Sequence, residues 1–387
     1  MNRVKLGDVS NEVKERCPTP ELNDLPAVGL EHLDPERLSL RRFGNPGQNG
    51  FTKRFKGGDI LFGRRRAYQK KAAVATSDGV CSGDIIVIRP IEQKIDPLLL
   101  PFIIQNDFFF DFAIGNSAGS LSPRVKWARL AEFEFSLPDK ENQHRLEETL
   151  WSCEEVIEDY DALLDLLDGV TKSRFVEMFG LLSDSTTGVW ERLPLSDCVN
   201  SIDTGKSLNC SDQPRVEGGC GVLKLSALSS GSFLSSENKA IGRDAFVPEK
   251  EVKSGDILFA RKNTPALVGA CVLVQEETQG LMFPDLIFRM RANDKCAGVY
   301  LKTLLSDSAF SVEVKKLAHG SAQSMSNIPK AKLARLEIPV PPIELQNEFA
   351  TFVKQVDKSV FELVQARDAL KRMKKQLIVQ ELGVDDV

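Results

Sequence analysis

Gly58-Asp59-Ile60-Leu61-Phe62 recurs unchanged as Gly255-Asp256-Ile257-Leu258-Phe259. Outward from this pair, Val4-Lys5-Leu6-Gly7-Asp8-Val9 matches Leu193-Pro194-Leu195-Ser196-Asp197-Cys198, and Asp84-Ile85-Ile86-Val87 parallels Asp285-Leu286-Ile287-Phe288. Leu130–Pro138 parallels Leu333–Pro341, and Glu141 and Gln143 are answered by Glu344 and Gln346. The copies lie about 200 residues apart, against roughly 20–50 for a solenoid repeat, so a whole domain is duplicated. The interval widens along the chain, as loop insertions within homologous domains would make it.

Each copy is a globular part followed by a helical tail, and the whole reads as α+β. Gly57-Gly58 and Gly255 are turn signals before short apolar runs. Residues 80–90 read as a strand ended by Pro90, and 336–341 alternate like a final strand. The apolar stretch 97–114 has the length of a buried helix, although Pro101–Gln105 also suits a strand.

In the tails, Leu146, Leu150, Ile157, Leu164 and Leu167 keep a four-three alternation, with Cys153 and Tyr160 between them. Phe349, Val356, Leu363, Leu370 and Leu377 keep it in the second tail, together with Leu345, Phe352, Ser359, Ala366 and Met373. Such heptads predict long helices meeting in a coiled-coil seam, each about 50–60 Å long. Pro138, Pro341 and Pro342 lead in; Gly169 or Gly180, and Gly383, close the helices. The expected divisions are a globular domain over 1–138, a helix over 139–180, a globular domain over 181–341 and a helix over 342–387. The order domain–helix–domain–helix predicts an antiparallel helix pair and an internal pseudo-two-fold. A hinge or a dimer rod is the plainer use of such helices.

The 387 residues carry 50 Lys+Arg against 55 Asp+Glu, a net charge of −5, so no global positive field attracts nucleic acid. No apolar run is long enough to span a membrane, and the opening stretch has no signal-peptide core, so a cytoplasmic protein is expected. The eight cysteines include no C-x-x-C and read as reduced thiols. The three histidines, His32, His144 and His319, have no second His or Cys at ligand spacing, so no metal site is expected. No phosphate loop, dinucleotide fingerprint or adenine-methyltransferase signature of the N-P-P-[FYW] kind is present. Cys81-Ser82-Gly83-Asp84 has no equivalent turn in the second copy and reads as a buried thiol. No catalytic residue is assigned.

Binding is better supported. Behind the first repeat come Arg64, Arg65, Arg66, Tyr68, Lys70 and Lys71, with Arg41, Arg42, Lys53 and Arg54 nearby. Behind the second stand Arg261, Lys262 and Asn263. Guanidinium forks and amides grip phosphate or read base edges. One loop position carrying different polar residues in two copies suits one task with two specificities. A solvated basic surface, or a duplicated protein–protein scaffold without base readout, is the alternative. Residues 1–138 hold 20 basic and 17 acidic side chains and 181–341 hold 19 and 18, whereas 139–180 hold 4 and 12. That first helix would repel a phosphate backbone, so a basic partner is expected to supply further cations. An exposed acidic face comprising Glu154, Glu155, Glu158, Asp159, Asp161 and Asp165 is the plainer reading of the same residues.

The ordered set resembles the specificity subunit of type I restriction–modification systems. It comprises the paired GDILF segments, Gly79–Ile85, the Gly119-Ser120 and Gly320-Ser321 loops, the 336–349 segment with its divergent copy at 133–146, and Ser173–Gly180. The resemblance covers essentially the whole chain. It implies two target recognition domains, each reading half of an asymmetric split double-stranded DNA sequence, with the helices as spacer. It also implies two docked methyltransferase subunits holding S-adenosylmethionine, no cofactor on this chain, and motor–nuclease subunits for cleavage. Under that reading Arg64–Arg66, Tyr68, Lys70 and Lys71 contact DNA, supported by Arg124 and Lys126. In the second copy the contacts fall to Arg261, Lys262, Asn263, Ser321, Gln323 and Ser324. Asp139, where the second copy has Pro342, departs from a symmetric pattern.

Overall fold

Gly58 and Gly255 take the left-handed backbone, at φ +88° and +85°, which a side chain would strain. The following carboxylate turns back into the bend: Asp59 accepts from the Lys56 amide and Asp256 from the Lys253 amide. Both carboxylates are buried, and each meets an arginine from the neighbouring strand. Arg89 donates twice to Asp59 at 2.7 Å, and Arg291 donates to Asp256 at 2.5 Å. Glycine, aspartate and the apolar triplet thus have separate duties in one turn-to-strand unit.

The computed structural model describes residues 2–18, 24–45, 50–180, 190–208, 210, 212–319 and 325–383. It divides into one unit comprising Met1–Ala162 with Leu363–Val387 and a second comprising Leu163–Glu362.

In unit one a four-stranded antiparallel sheet runs in the order Ser10–Val13, Ile85–Pro90, Ile60–Gly63, Ala72–Val74. A three-stranded sheet holds Gly79–Cys81 between Ala27–Val28 and Lys53–Phe55. Side chains alternate across the central strand, yet both faces are buried. Ile60, Phe62, Ile86 and Ile88 join one core, while Leu61, Ile85 and Val87 join another. A strand covered on both sides needs an unbroken apolar run. The second unit repeats the plan: Ile257, Phe259, Phe288 and Met290 face one core, and Leu258, Ala260 and Ile287 the other.

Three expectations change. Residues 80–90 are two strands of different sheets, because Ser82-Gly83-Asp84 turns the chain between them. Residues 97–114 contain two helices, Leu100–Ile104 and Asp107–Gly115. Asn106 separates them: its side chain donates to the Ile103 carbonyl at 2.7 Å and accepts from the Phe109 amide at 2.8 Å. The strand register pairs Phe62 with Ile86 and Phe259 with Phe288, so Asp84 corresponds to Leu286 and not to Asp285.

Terminal pairing closes each globular part. Asn2–Lys5 pairs with Glu134–Leu137 in unit one, and Arg192–Pro194 with Glu337–Pro339 in unit two. Directly after each pair a 40-residue helix begins, Lys140–Phe179 and Ile343–Leu382. Gly169 lies inside the first helix; Gly180, at φ +81°, ends it. Asp139 caps that helix, its Oδ1 accepting from the Asn142 amide at 3.0 Å, which explains an acid where the second copy has proline. The matched glutamines are clamps. Gln143 accepts from the Asp96 amide and donates to the Pro138 carbonyl; Gln346 accepts from the Ala297 amide and donates to the Pro341 carbonyl.

Within unit one, Leu146 and Leu150 are buried in the core that also takes Ile378 and Leu382, and Ile157 further along the helix is buried as well. Glu154 pairs with Lys374, and Asp161 with Arg367 at 2.9 Å, so numbers rise along one segment as they fall along the other: the helices are antiparallel. Leu363, Leu370 and Leu377 are half-buried there. Met373 is 63% exposed, a correction to the heptad reading, because Lys374 takes the inward position beside Glu154. In unit two, Leu164, Leu167 and Val356 are half-buried and Phe349 is fully buried. Phe175, Phe179, Tyr300 and Phe349 form an aromatic cluster with ring centroids 4.9 to 5.8 Å apart. Each such pair adds about 0.5–1.5 kcal/mol beyond its area burial, which gives Ser173–Gly180 a packing purpose.

Candidate nucleic-acid interface

Strand Ile60–Gly63 hands the chain to the basic loop, and a backbone frame holds that loop open. The Arg64 amide donates to the Asp84 carbonyl at 3.0 Å, the Val125 amide to the Arg64 carbonyl at 3.0 Å, and the Arg66 amide to the Pro123 carbonyl at 2.9 Å. Arg65 bridges to Arg124 across this seam. Arg66 and Lys70 adopt left-handed backbone, at φ +57° and +51°, on either side of a single turn over Ala67–Gln69. Tyr68, on the outside of that turn, is left 56% exposed.

Asp84 organises the cations. Arg124 donates to it at 2.8 Å and Arg65 stands 3.6 Å away, with Arg65 also donating to the Ser122 hydroxyl at 2.7 Å. The hydrogen bond from Arg124, then its charge and those of Arg65 and Arg64, hold the Asp84 carboxyl below the usual carboxylate range against the opposing effect of burial. Arg64 is half-buried, and its Nε has no hydrogen-bond partner. Arg66 and Lys126 are exposed and have no ion-pair partner among the described residues. The structure thus gathers Arg64, Arg65 and Arg124 around one carboxylate, with Arg66, Tyr68 and Lys126 carried on the same loop frame.

The other first-copy cations are committed elsewhere. Arg41 pairs with Glu158 of the long helix at 2.8 Å, and Arg42 pairs with Asp34. Lys53 donates to the Ile85 carbonyl at 3.0 Å, and burial foremost lowers its pKa. Arg54 lies 3.8 Å from Asp78. Lys70 pairs with Asp107 at 2.5 Å, and Lys71 donates to the Leu30 carbonyl at 2.7 Å. The acidic helix face is not merely exposed: Glu154, Glu158 and Asp161 all take basic partners. Burial pushes the Cys81 thiol up to about 12, as befits an inert structural cysteine.

Unit two rebuilds the frame with other side chains. The Arg261 amide donates to the Leu286 carbonyl at 3.0 Å, and the Ile328 amide to the Arg261 carbonyl at 2.8 Å. Lys262–Asn263 pairs with Ser326–Asn327 where unit one has the Arg65–Arg124 bridge. The Arg261 guanidinium lies 5.0 Å over the Phe288 ring and reaches Asn327 Oδ1 at 3.4 Å. Lys262 has no side-chain partner among the described residues. Asn263 is buried, its Oδ1 accepting from the Thr264 amide at 2.8 Å, so this side chain shapes the turn. Ser321, Gln323 and Ser324 lie outside the described residues. Asn327, absent from the sequence-derived set, occupies the place of Arg124; it stands at the same interval as Leu130 and Leu333 and was legible on that ground.

A duplicated α+β chain with one loop frame furnished in two ways defines a protein of paired recognition modules. The family is explicit: the chain belongs to the type I restriction modification DNA specificity domain family, whose model matches residues 3–158 and again 189–372. It is 22% identical over 325 residues to the type I restriction enzyme MjaVIII specificity subunit of Methanocaldococcus jannaschii, covering 78% of this chain and 72% of that one. It is 24% identical over 142 residues to the type I restriction enzyme EcoDI specificity subunit of Escherichia coli, covering 37% of this chain but only 31% of that subunit. The crystal structure of a type I restriction–modification S subunit from M. genitalium aligns with a TM-score of 0.57 at 12% identity, over 100% of this chain and 96% of that one. That likeness shows a shared fold. Among the described residues no helix is long and apolar enough to cross a membrane.

Proposed function

We propose that the chain is the non-catalytic DNA-reading subunit of a type I restriction–modification complex, each unit reading one half of an asymmetric, split duplex sequence. The observation that carries this reading is the shared backbone frame, which presents Arg65, Arg66, Arg124 and Lys126 in one unit and Lys262 and Asn327 in the other. Arginine forks match guanine and phosphate, whereas an amide suits adenine edges. The 40-residue helices, about 60 Å at 1.5 Å per residue, set the interval between half-sites. Two methyltransferase subunits dock on the chain and bring S-adenosylmethionine, motor–nuclease subunits join for cleavage, and the assembly works in the cytoplasm.

With a net charge of −5, the chain binds DNA weakly by itself and tightly once basic partners add phosphate contacts. The test compares the purified chain with the methyltransferase-loaded complex on target and scrambled duplexes. Sequence-specific retention by the complex alone supports the reading. Unchanged DNA modification after charge reversal at Arg64–Arg66 would favour a protein scaffold instead.

A further inference from the structure

One cluster in unit one lies away from the loops. Asp96 follows strand Ile85–Pro90, and His144 and Glu147 lie near the start of the long helix. One ligand atom from each lies within 4.8 Å of the other two. His144 Nδ1 stands 3.4 Å from Glu147 Oε2 and 3.9 Å from Asp96 Oδ2. The second ring nitrogen, Nε2, stands 3.5 Å from Glu148 Oε1. A carboxylate behind an imidazole that faces further oxygen donors is the arrangement that orients a metal-bound histidine.

The Glu147 side chain is only 8% exposed and has no hydrogen-bond donor outside the cluster among the described residues.

The duplication supplies an internal control. Gln143 accepts from the Asp96 amide, and Gln346 accepts from the Ala297 amide. By that equivalence, Asp96, His144 and Glu147 become Ala297, Asn347 and Ala350 in unit two. The same joint between globular part and helix closes there with no ionisable group at these three positions. The fold therefore does not require the charges in unit one.

We propose that Asp96, His144 and Glu147 bind one divalent cation of the zinc class, stapling the first globular part to its helix. Two carboxylate oxygens and one imidazole nitrogen suit Zn²⁺, with water completing the coordination. The site stands whether or not the loops read DNA.

The test uses the untagged full-length chain, stripped with a chelator and dialysed. Zn²⁺ is titrated by calorimetry and Co²⁺ by visible absorption. The expected result is uptake of one equivalent, a Zn²⁺-dependent rise in Tm, and a Co²⁺ spectrum without a thiolate band. His144→Asn and Glu147→Ala install the residues of the second copy; each should melt normally without metal and bind Zn²⁺ at least ~10-fold more weakly. No uptake at about 100 µM Zn²⁺, a thiolate band, or binding that both variants retain would overturn the proposal.

Discussion

Units one and two build the central sheet in the same register and fasten its entry turn with the same buried aspartate, but they furnish the loop beyond it differently. In unit one Asp84 collects Arg65 and Arg124, and Arg66 and Lys126 have no ion-pair partner among the described residues. In unit two Leu286 occupies the place of Asp84, and Arg261 lies on Phe288 beside Asn327. The turn is conserved between copies because several buried groups depend on it together. The loop side chains hang from backbone hydrogen bonds that any residue can make, so they differ without disturbing the sheet. Frame and specificity are thereby separated.

The largest expected effect tests the shared half of that contrast. Asp256 is fully buried, with Arg291 and Arg289 turned towards it. Asp256→Ala leaves those cations facing an empty site and should cost about 3–5 kcal/mol. Hydrogen exchange should show protection lost along Ile257–Ala260 and kept along Ile60–Gly63. Equal loss in both strands would show that the units do not open separately. Asp59→Ala should do the converse, at somewhat smaller cost, because Arg89 is 32% exposed whereas Asp256→Ala also strands Arg289, which is 9% exposed.

The differing half is tested next, in the partner-loaded complex. Arg66→Ala and Lys126→Ala should each weaken DNA binding and lower the salt slope by about 0.9 if each neutralises one phosphate. Slopes measured by filter binding at several salt concentrations would report this. An unchanged slope removes the residue from the contact set. Lys262→Ala should affect the other half-site only.

The smallest effect concerns pH. The Asp84 carboxyl is held below its ordinary value, so its contribution to loop stability is complete above the unfolded pKa and is lost as pH falls through the folded one. Since its partners Arg124 and Arg65 are 46% and 39% exposed, solvent screening should hold the contribution under about 1 kcal/mol. Amide exchange at Arg64–Lys70 should quicken in acid through this group, and Asp84→Asn should remove that part of the pH dependence. Unit two, with Leu286, should lack it.

The duplication, the α+β class and the two long helices were legible because repeated turns and heptads are local patterns. What escaped was long-range. Residues 80–90 hold apolar stretches on both sides of Ser82-Gly83-Asp84, so periodicity could not show that this turn passes the chain between sheets. A single asparagine inside 97–114 divides two helices, and its capping role depends on both neighbours being helical. The parallel between Asp84 and Asp285 followed letter identity, whereas hydrogen-bond register moved it by one residue. Basic residues could be counted but not assigned: nothing near Arg41 in sequence announces Glu158, and nothing near Lys374 announces Glu154. Asn327 was within reach, since the interval fixed by Leu130 and Leu333 leads from Arg124 directly to it.

The most direct test replaces residues 2–137 with the corresponding domain of another type I specificity subunit, leaving both long helices and unit two intact. The methylated motif is then read by methylome sequencing in cells that supply the partner subunits. One half of the motif should change, while the other half and the spacing between them stay as in the parent. A motif that is unchanged, or altered in both halves, would contradict the assignment of one reader to each unit.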